Sequence, residues 1–241
     1  MRYSVPCAAV IIAAIASPAV AHAVPSLIGM PERTQVTVRH ASGWSIATPN
    51  ANESRPALSL AKLYLGYWVL KHGAAADKAQ VEEMIRVSHD GIATDLDARY
   101  PQAIDGVARQ FRLHATHRNG YWGNSVTSTE NMARFMDAIH GDPAAAPLFR
   151  GMNNAAPVAA DGYRQDFGTA TLPGMEGRKF GWSDSLHIHA SVSHGNGFTV
   201  AAHTFGTAGE HTADVRRVEP AAQACGAVNR AVAQIGSSRV C

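Results

Sequence analysis

The chain has few cysteines and no block of like charge. It contains three cysteines in 241 residues, and its formal net charge is +2 at pH 7. No basic run and no interleaving of basic and aromatic residues occurs, so we expect no nucleic-acid partner. Because 46% of the residues are hydrophobic and 17% are charged, the chain can bury a sizeable core.

A long apolar run is found only at the N-terminus. Residues 8–21 are nearly all small or apolar, and Ala21-His22-Ala23 has the small-x-small form that signal peptidase cuts. The alternative is a membrane anchor, but Pro18 interrupts the run, which falls short of the about 20 residues needed to span a bilayer. We therefore predict a secretory signal over residues 1–23, no stable membrane anchor, and a single secreted, cell-envelope domain over residues 24–241.

Cleavage of this signal would remove Cys7 and leave two cysteines, Cys225 and Cys241. An even pair in an oxidising compartment predicts a disulfide. It would join the predicted C-terminal helix, Pro220 to Ile235, to the end of the chain, and its role would be structural.

Alternating polarity predicts strands near both ends of the chain. Gln35–Arg39 and Trp44–Ala47 form one hairpin pattern, and Arg178–Trp182, His187–Ser193 and Phe198–Phe205 form three adjacent antiparallel strands. Helical spacing fills the middle, over a segment that follows Leu58 and ends near Gly73, and over 77–87, 92–100, 103–111, 127–139 and 144–153. This order predicts an α+β fold, with an antiparallel sheet built from both ends and a helical block flanking it.

Ser59 is a candidate nucleophile. Ser59 and Lys62 are three residues apart and should share one face of the first turn of an apolar helix that follows Pro56. A serine hydroxyl is a poor nucleophile until a base takes its proton, and a lysine amine can do so when desolvation lowers its pKa. The alternative is that Ser59 only caps the helix.

Two later segments add a hydroxyl and a second amine. They are Ser88-His89-Asp90 and Lys179-Phe180-Gly181. With Ser59-x-x-Lys62 they stand in the order known for class A β-lactamases and penicillin-binding proteins, which this chain resembles from about Val36 to Phe205. The chain has only four lysines, and two of them fall at the family's two lysine positions.

The resemblance implies a role for each matching residue. Ser59 would be the acylated nucleophile, Lys62 its general base, Ser88 the relay of a proton to the leaving nitrogen, and Lys179 the cation that steers a substrate carboxylate. The backbone N–H groups of Ser59 and Trp182 would form the oxyanion hole, and Asp90, Phe180, Gly181 and Trp182 would contact substrate. The implied protein is a monomeric secreted serine hydrolase without cofactor, acting on β-lactams or peptidoglycan-like peptides.

Three departures from the family pattern bear on activity. Asp90 replaces an amide donor with a carboxylate, and Phe180 replaces a hydroxyl. No acidic residue occurs between Gly106 and Glu130, although class A lactamases place there the glutamate that activates the deacylating water. We therefore expect slow deacylation, and a catalytically inactive relative that binds ligands in the cell envelope stays an alternative.

Simpler interpretations exist for the other candidate residues. Ser88 could cap a helix, and Lys179 could be a solvated strand residue. His187 and His189 share a strand face near His194 and His203, which makes a zinc site conceivable, but no third ligand stands at ligand spacing. We expect no metal.

Overall fold

A computed structural model describes residue 27 and residues 29–41, 43–195 and 197–218. The predicted signal peptide, the predicted helix from Pro220 to Ile235 and the predicted pair Cys225 and Cys241 lie outside these residues. None of the described helices has the length and apolar character that crossing a bilayer requires.

The main sheet is built from both ends of the chain, as the sequence predicts. It contains β1 (Thr34–His40), β2 (Ser45–Ala47), β5 (Gly177–Trp182), β6 (Ile188–Gly195) and β7 (Phe198–Phe205), in the order β2-β1-β7-β6-β5. All neighbouring strands are antiparallel, and β1 pairs with β7 from Thr34↔Thr204 to His40↔Phe198. Strand β5 therefore forms one edge of the sheet. A separate two-stranded sheet joins β3 (Arg55–Pro56) to β4 (Val126–Thr127).

In the sequence, the described helices lie mostly between the N-terminal strands β1 and β2 and the C-terminal strands β5 to β7. They are α1 (Ala61–His72), α2 (Ala75–Lys78), α3 (Val81–Arg86), α4 (Asp90–Arg99), α5 (Ala103–Phe111), α6 (Thr129–Ile139), α7 (Ala146–Asn153) and α8 (Ala208–Val215). The predicted α+β class is confirmed.

Two details differ from the predicted helices. The single helix expected over residues 77–87 is two short helices, α2 and α3. The Asp77 carboxylate is buried at the end of α2, where it accepts hydrogen bonds from the Tyr100 hydroxyl (2.6 Å) and from Arg99. Helix α8 was not predicted, although Thr207 and Glu210 form a complete capping box at its start.

Helix α1 lies in the centre of the core. Leu63, Tyr64, Leu65 and Val69 have no exposed surface, and the Tyr64 ring packs against Phe135 with ring centroids 4.7 Å apart. Burying a leucine or valine side chain contributes about 1.5–3 kcal/mol. This burial fixes the position of the helix start, where the candidate nucleophile lies.

The packing of α7 against α3 predicts the effect of one added methyl group. A Cβ at Gly151 would lie 2.7 Å from the Glu82 carbonyl oxygen and 2.9 Å from Ile85 Cβ, so Gly151→Ala overpacks this contact. Overpacking costs about 1–3 kcal/mol and better helix propensity returns about 1 kcal/mol, so we expect a net loss of up to about 2 kcal/mol in the free energy of unfolding. Urea denaturation measures it.

Gly209→Ala is the matched control, because the nearest atom to its added Cβ is Thr207 Oγ1 at 3.9 Å. We expect no loss of stability from this variant. Equal stability of the two variants would contradict the close packing of α3 and α7.

Candidate active site

Ser59 lies in a 3₁₀ turn, Leu58–Leu60, that runs directly into α1. Leu58 holds a left-handed backbone conformation (φ +53°), which is costly for a side chain of this size. Neither the turn nor α1 has a side-chain cap, so Ser59 is not an N-cap. Its Oγ instead accepts a hydrogen bond of 2.6 Å from Lys62 Nζ.

Lys62 is buried among polar partners. Its side chain has no exposed surface, and its Nζ lies 2.5 Å from Asp90 Oδ1 and 3.3 Å from Ser88 Oγ. The ring of Trp122 covers the same nitrogen, with its centroid 4.3 Å away. One amine therefore connects the candidate nucleophile to a second hydroxyl and to a carboxylate.

Ser88 connects the two lysines. It lies between α3 and α4 with a left-handed φ of +54°, and the residue that caps α4 is His89, whose ring accepts from Ile92 N–H (3.3 Å). The capping interpretation of Ser88 is therefore wrong. Its Oγ accepts a hydrogen bond of 2.7 Å from Lys179 Nζ.

Lys179 is a buried residue of edge strand β5, not a solvated one. Its side chain has no exposed surface, and its Nζ also donates to the Phe180 carbonyl oxygen (3.0 Å). Ser59, Lys62, Ser88 and Lys179, which are far apart in the sequence, thus lie in one connected cluster of hydrogen bonds.

Gly181 lets β5 approach the Ser59 turn. A Cβ at Gly181 would lie 2.7 Å from Leu58 Cβ and 2.9 Å from the backbone nitrogen of Ser59. Any larger residue would push the strand and the turn apart.

The same strand edge presents a second backbone donor. Ser183 N–H donates to Ile188 O (3.0 Å), so by antiparallel alternation the pair Trp182↔His189 is not hydrogen-bonded, and Trp182 N–H points out of the sheet edge. Within the described part of the chain, Ser59 N–H has no backbone acceptor. Two backbone donors, from Ser59 and Trp182, are thus available on the side of the turn that faces β5.

The side chains of Phe180 and Trp182 point away from this cluster. Phe180 has no exposed surface and packs on Phe167 with ring centroids 5.0 Å apart. The ring is buried on the side of β5 that faces away from the cluster, so a substrate contact of Phe180 would have to come from its backbone. The Trp182 ring stacks on Tyr163 (4.8 Å), and its Nε1 donates to Asp161 (3.0 Å).

Asp90 is the first residue of α4, and its side chain is 63% exposed. One carboxylate oxygen pairs with Lys62, and the other has no hydrogen-bond partner among the described residues. Asp90 therefore contacts the candidate base directly.

Burial dominates the proton affinity of both lysines. Desolvation lowers the pKa of Lys62 below its ordinary value of 10.5, while the negative charges of Asp90 and Asp161 oppose this change. Desolvation lowers the pKa of Lys179 well below its ordinary value, and the nearby charge of Lys62 lowers it further. A lysine with a lowered pKa is a better base near neutral pH, because more of it is unprotonated.

Sequence analysis missed the contributions of Trp122 and Asp161. Trp122 lies in the loop between α5 and α6, and its contact with Lys62 depends on how this loop folds. Asp97 holds the loop, because its carboxylate accepts from Trp122 N–H (3.2 Å) and from two Arg118 guanidinium nitrogens (2.7 Å each). Asp161 lies in the segment before β5, and no sequence signal connected it to the lysines.

In the described part of the chain, the histidines considered as zinc ligands do not form a metal site. His189 contacts the Gly206 carbonyl oxygen and the Tyr163 hydroxyl, each at 2.9 Å, and His203 is buried. No group of three or more His, Cys, Asp or Glu side chains within residues 29–41, 43–195 and 197–218 could hold a metal ion.

Comparison with known proteins gives matches at the level of structure. No family model matches the sequence. No curated protein matches it significantly.

Solved structures of two related classes are similar to this chain. Penicillin-binding protein D2 from Listeria monocytogenes, solved with cefotaxime bound, is 16% identical with a TM-score of 0.57, and the match covers 76% of this chain and 94% of that one. The β-lactamase from Sphaerobacter thermophilus is 13% identical with a TM-score of 0.63, over 78% and 89% of the two chains. An ancestral class A β-lactamase is 18% identical with a TM-score of 0.61, over 79% and 94%. At these identities the likeness concerns the fold, and the chain has the fold of the serine β-lactamases and penicillin-binding proteins.

Proposed function

We propose that this protein is a serine acyl-enzyme hydrolase in which Ser59 is the nucleophile. The observation that carries the proposal is the 2.6 Å contact between Ser59 Oγ and the fully buried amine of Lys62. A nucleophile and a base at hydrogen-bond distance, with the base held by further polar groups, is the arrangement that covalent catalysis requires.

Acylation would begin when unprotonated Lys62 takes the proton of Ser59. The Ser59 oxygen then attacks the substrate carbonyl carbon, and the negative charge that develops on the carbonyl oxygen accepts hydrogen bonds from the N–H groups of Ser59 and Trp182. Removing one such donor typically costs about 2.7–4 kcal/mol of transition-state stabilisation.

Ser88 would complete the step by passing the proton from Lys62 to the leaving nitrogen. Its Oγ lies within hydrogen-bond reach of both lysine amines, at 3.3 Å and 2.7 Å. Because Lys179 has no exposed surface, it would influence a substrate carboxylate through the hydrogen bond that it donates to Ser88 and not by direct contact.

The substrate class that we propose is β-lactams or peptidoglycan-like peptides. It is supported by the fold and by the solved complexes of the Listeria protein with cefotaxime and ampicillin. The predicted signal peptide supports action outside the cytoplasm. Deacylation should be slow compared with an enzyme that has a loop glutamate, because residues 107–129 contain no acidic residue.

One observation favours the alternative, a catalytically inactive binding protein with the same cleft. The 2.5 Å contact with Asp90 stabilises the ammonium form of Lys62, and this form cannot accept a proton. Burial acts in the opposite direction and is the larger influence on the pKa of Lys62, so we favour the enzyme.

Covalent labelling separates the two functions. After incubation with ampicillin or cefotaxime, we expect intact-protein mass spectrometry to show one adduct, on Ser59, in the wild type. Ser59→Ala should show none, because it lacks the attacking oxygen. Ser54→Ala is a matched control on an exposed serine five residues away, and it should label like the wild type. A wild type that stays unlabelled at high concentrations of both drugs contradicts the proposed function.

The pH dependence of acylation reports on Lys62. Acylation needs the unprotonated amine, so below the pKa of Lys62 its rate should rise about tenfold per pH unit. The lowered pKa places the plateau below pH 10.5, the ordinary value for lysine. Asp90→Asn should move the plateau to still lower pH, because the charge of Asp90 raises the pKa of Lys62. Stopped-flow acylation at several pH values measures both, and a plateau that does not move contradicts the assignment of Lys62 as base.

A further inference from the structure

The loop between α5 and α6, which carries Trp122, contains no carboxylate that could activate water. Trp122 covers the Lys62 amine there, and an indole cannot accept a proton from water. Any hydrolysis of an acyl-enzyme on Ser59 must therefore use a base from another element.

Asp90 is placed to be that base. Its Oδ1 lies 2.5 Å from Lys62 Nζ, which lies 2.6 Å from Ser59 Oγ. Oδ1 can lie no farther from Ser59 Oγ than these two distances together, and Oδ2 is bonded to the same carboxyl carbon. The carboxylate is therefore close enough to Ser59 for a water molecule to lie between them, because each hydrogen bond of a water spans about 2.7–3.0 Å.

The free oxygen of Asp90 is accessible to solvent. The side chain is 63% exposed, and Oδ2 has no partner among the described residues. Asp161, the other carboxylate that influences both lysines, accepts hydrogen bonds from Trp182 Nε1 and from Tyr163 N–H. Of these two carboxylates, only Asp90 contacts the amine next to Ser59.

We propose that Asp90 is the general base that activates water for deacylation, a catalytic role that the family's amide at this position cannot perform. The inference rests on the proposed function, since it concerns the acyl-enzyme formed on Ser59.

Deacylation would begin with proton transfer from water to Asp90. Asp90 Oδ2 takes one proton from a water molecule while the water oxygen forms a bond to the acyl carbonyl carbon, and the N–H groups of Ser59 and Trp182 hold the resulting oxyanion. The intermediate collapses and the bond between Ser59 Oγ and the acyl carbon breaks. Lys62, which is unprotonated after acylation, takes the proton from Asp90 across the 2.5 Å contact and gives a proton to Ser59 Oγ. The products are the carboxylic acid and Ser59 with its hydroxyl group restored.

The test separates acylation from deacylation. Wild type and Asp90→Asn are labelled with ampicillin, excess drug is removed, and the adduct on Ser59 is followed over time by mass spectrometry. General-base catalysis contributes about 10²–10⁴-fold, so we expect the adduct of Asp90→Asn to last at least about 100-fold longer, while acylation at neutral pH is not slowed. Asp95→Asn, the same change at an exposed position of α4, should keep the wild-type lifetime.

A second readout excludes a merely structural effect. Hydroxylamine attacks esters without help from a base, so it should release the adduct from Asp90→Asn as fast as from the wild type. Resistance to hydroxylamine only in Asp90→Asn would mean that the substitution closed the site, and it would overturn the inference.

The remaining outcomes are also distinct. A lifetime in Asp90→Asn within threefold of the wild type overturns the role of Asp90 and leaves the proposed function intact, as does a wild-type adduct that is never released. A wild type that forms no adduct overturns both.

Discussion

Two lysine side chains without contact with water are the feature on which the rest of the site depends. Moving an ammonium group out of water costs several kcal/mol even after the protein relaxes. Ser88, Asp90 and the Phe180 carbonyl oxygen offset part of that cost through hydrogen bonds at 2.5–3.3 Å. The remainder must come from the packing of α1, whose start holds Ser59 and Lys62. The central helix thus both stabilises the core and keeps two amines in a state in which they bind protons weakly.

The site also requires the backbone of β5 to lie close to the backbone of the Ser59 turn. Gly181 brings the edge of β5 against the turn that carries Ser59, and Leu58 and Ser88 adopt left-handed conformations beside it. Such conformations cost of order 1–3 kcal/mol each and persist only where the surrounding structure fixes them. Here α1, α3 and α4 are the elements that fix them. Of the five non-glycine residues with this conformation in the described part of the chain, Leu58 and Ser88 are the two next to the reacting groups.

Local patterns predicted most of the architecture and the members of the cluster. Alternating polarity identified β1, β2 and the strands β5 to β7, and the order of Ser59, Lys62, Ser88 and Lys179 pointed to four side chains that the structure joins by hydrogen bonds. Local patterns could not predict the direction of the Phe180 ring. That direction depends on Phe167, which lies before β5 in the sequence and packs against the Phe180 ring. The contact of Trp122 with Lys62 depends on Asp97, which holds the loop through Arg118 and is 25 residues away from Trp122. Contacts of this kind come from tertiary packing and leave no periodic signal in the sequence.

The pairing of β1 with β7 has a consequence for how the chain reaches its final shape. The Thr34 and Thr204 hydroxyls, which meet at 2.9 Å, are separated by 170 residues, so β1 and β7 cannot pair until the chain has been synthesised past Thr204. Contacts between distant segments slow folding, because the entropy of closing a long loop must be lost before any contact compensates for it. A newly made chain would therefore keep β1 without its neighbour β7 until the segment beyond Thr204 has left the ribosome.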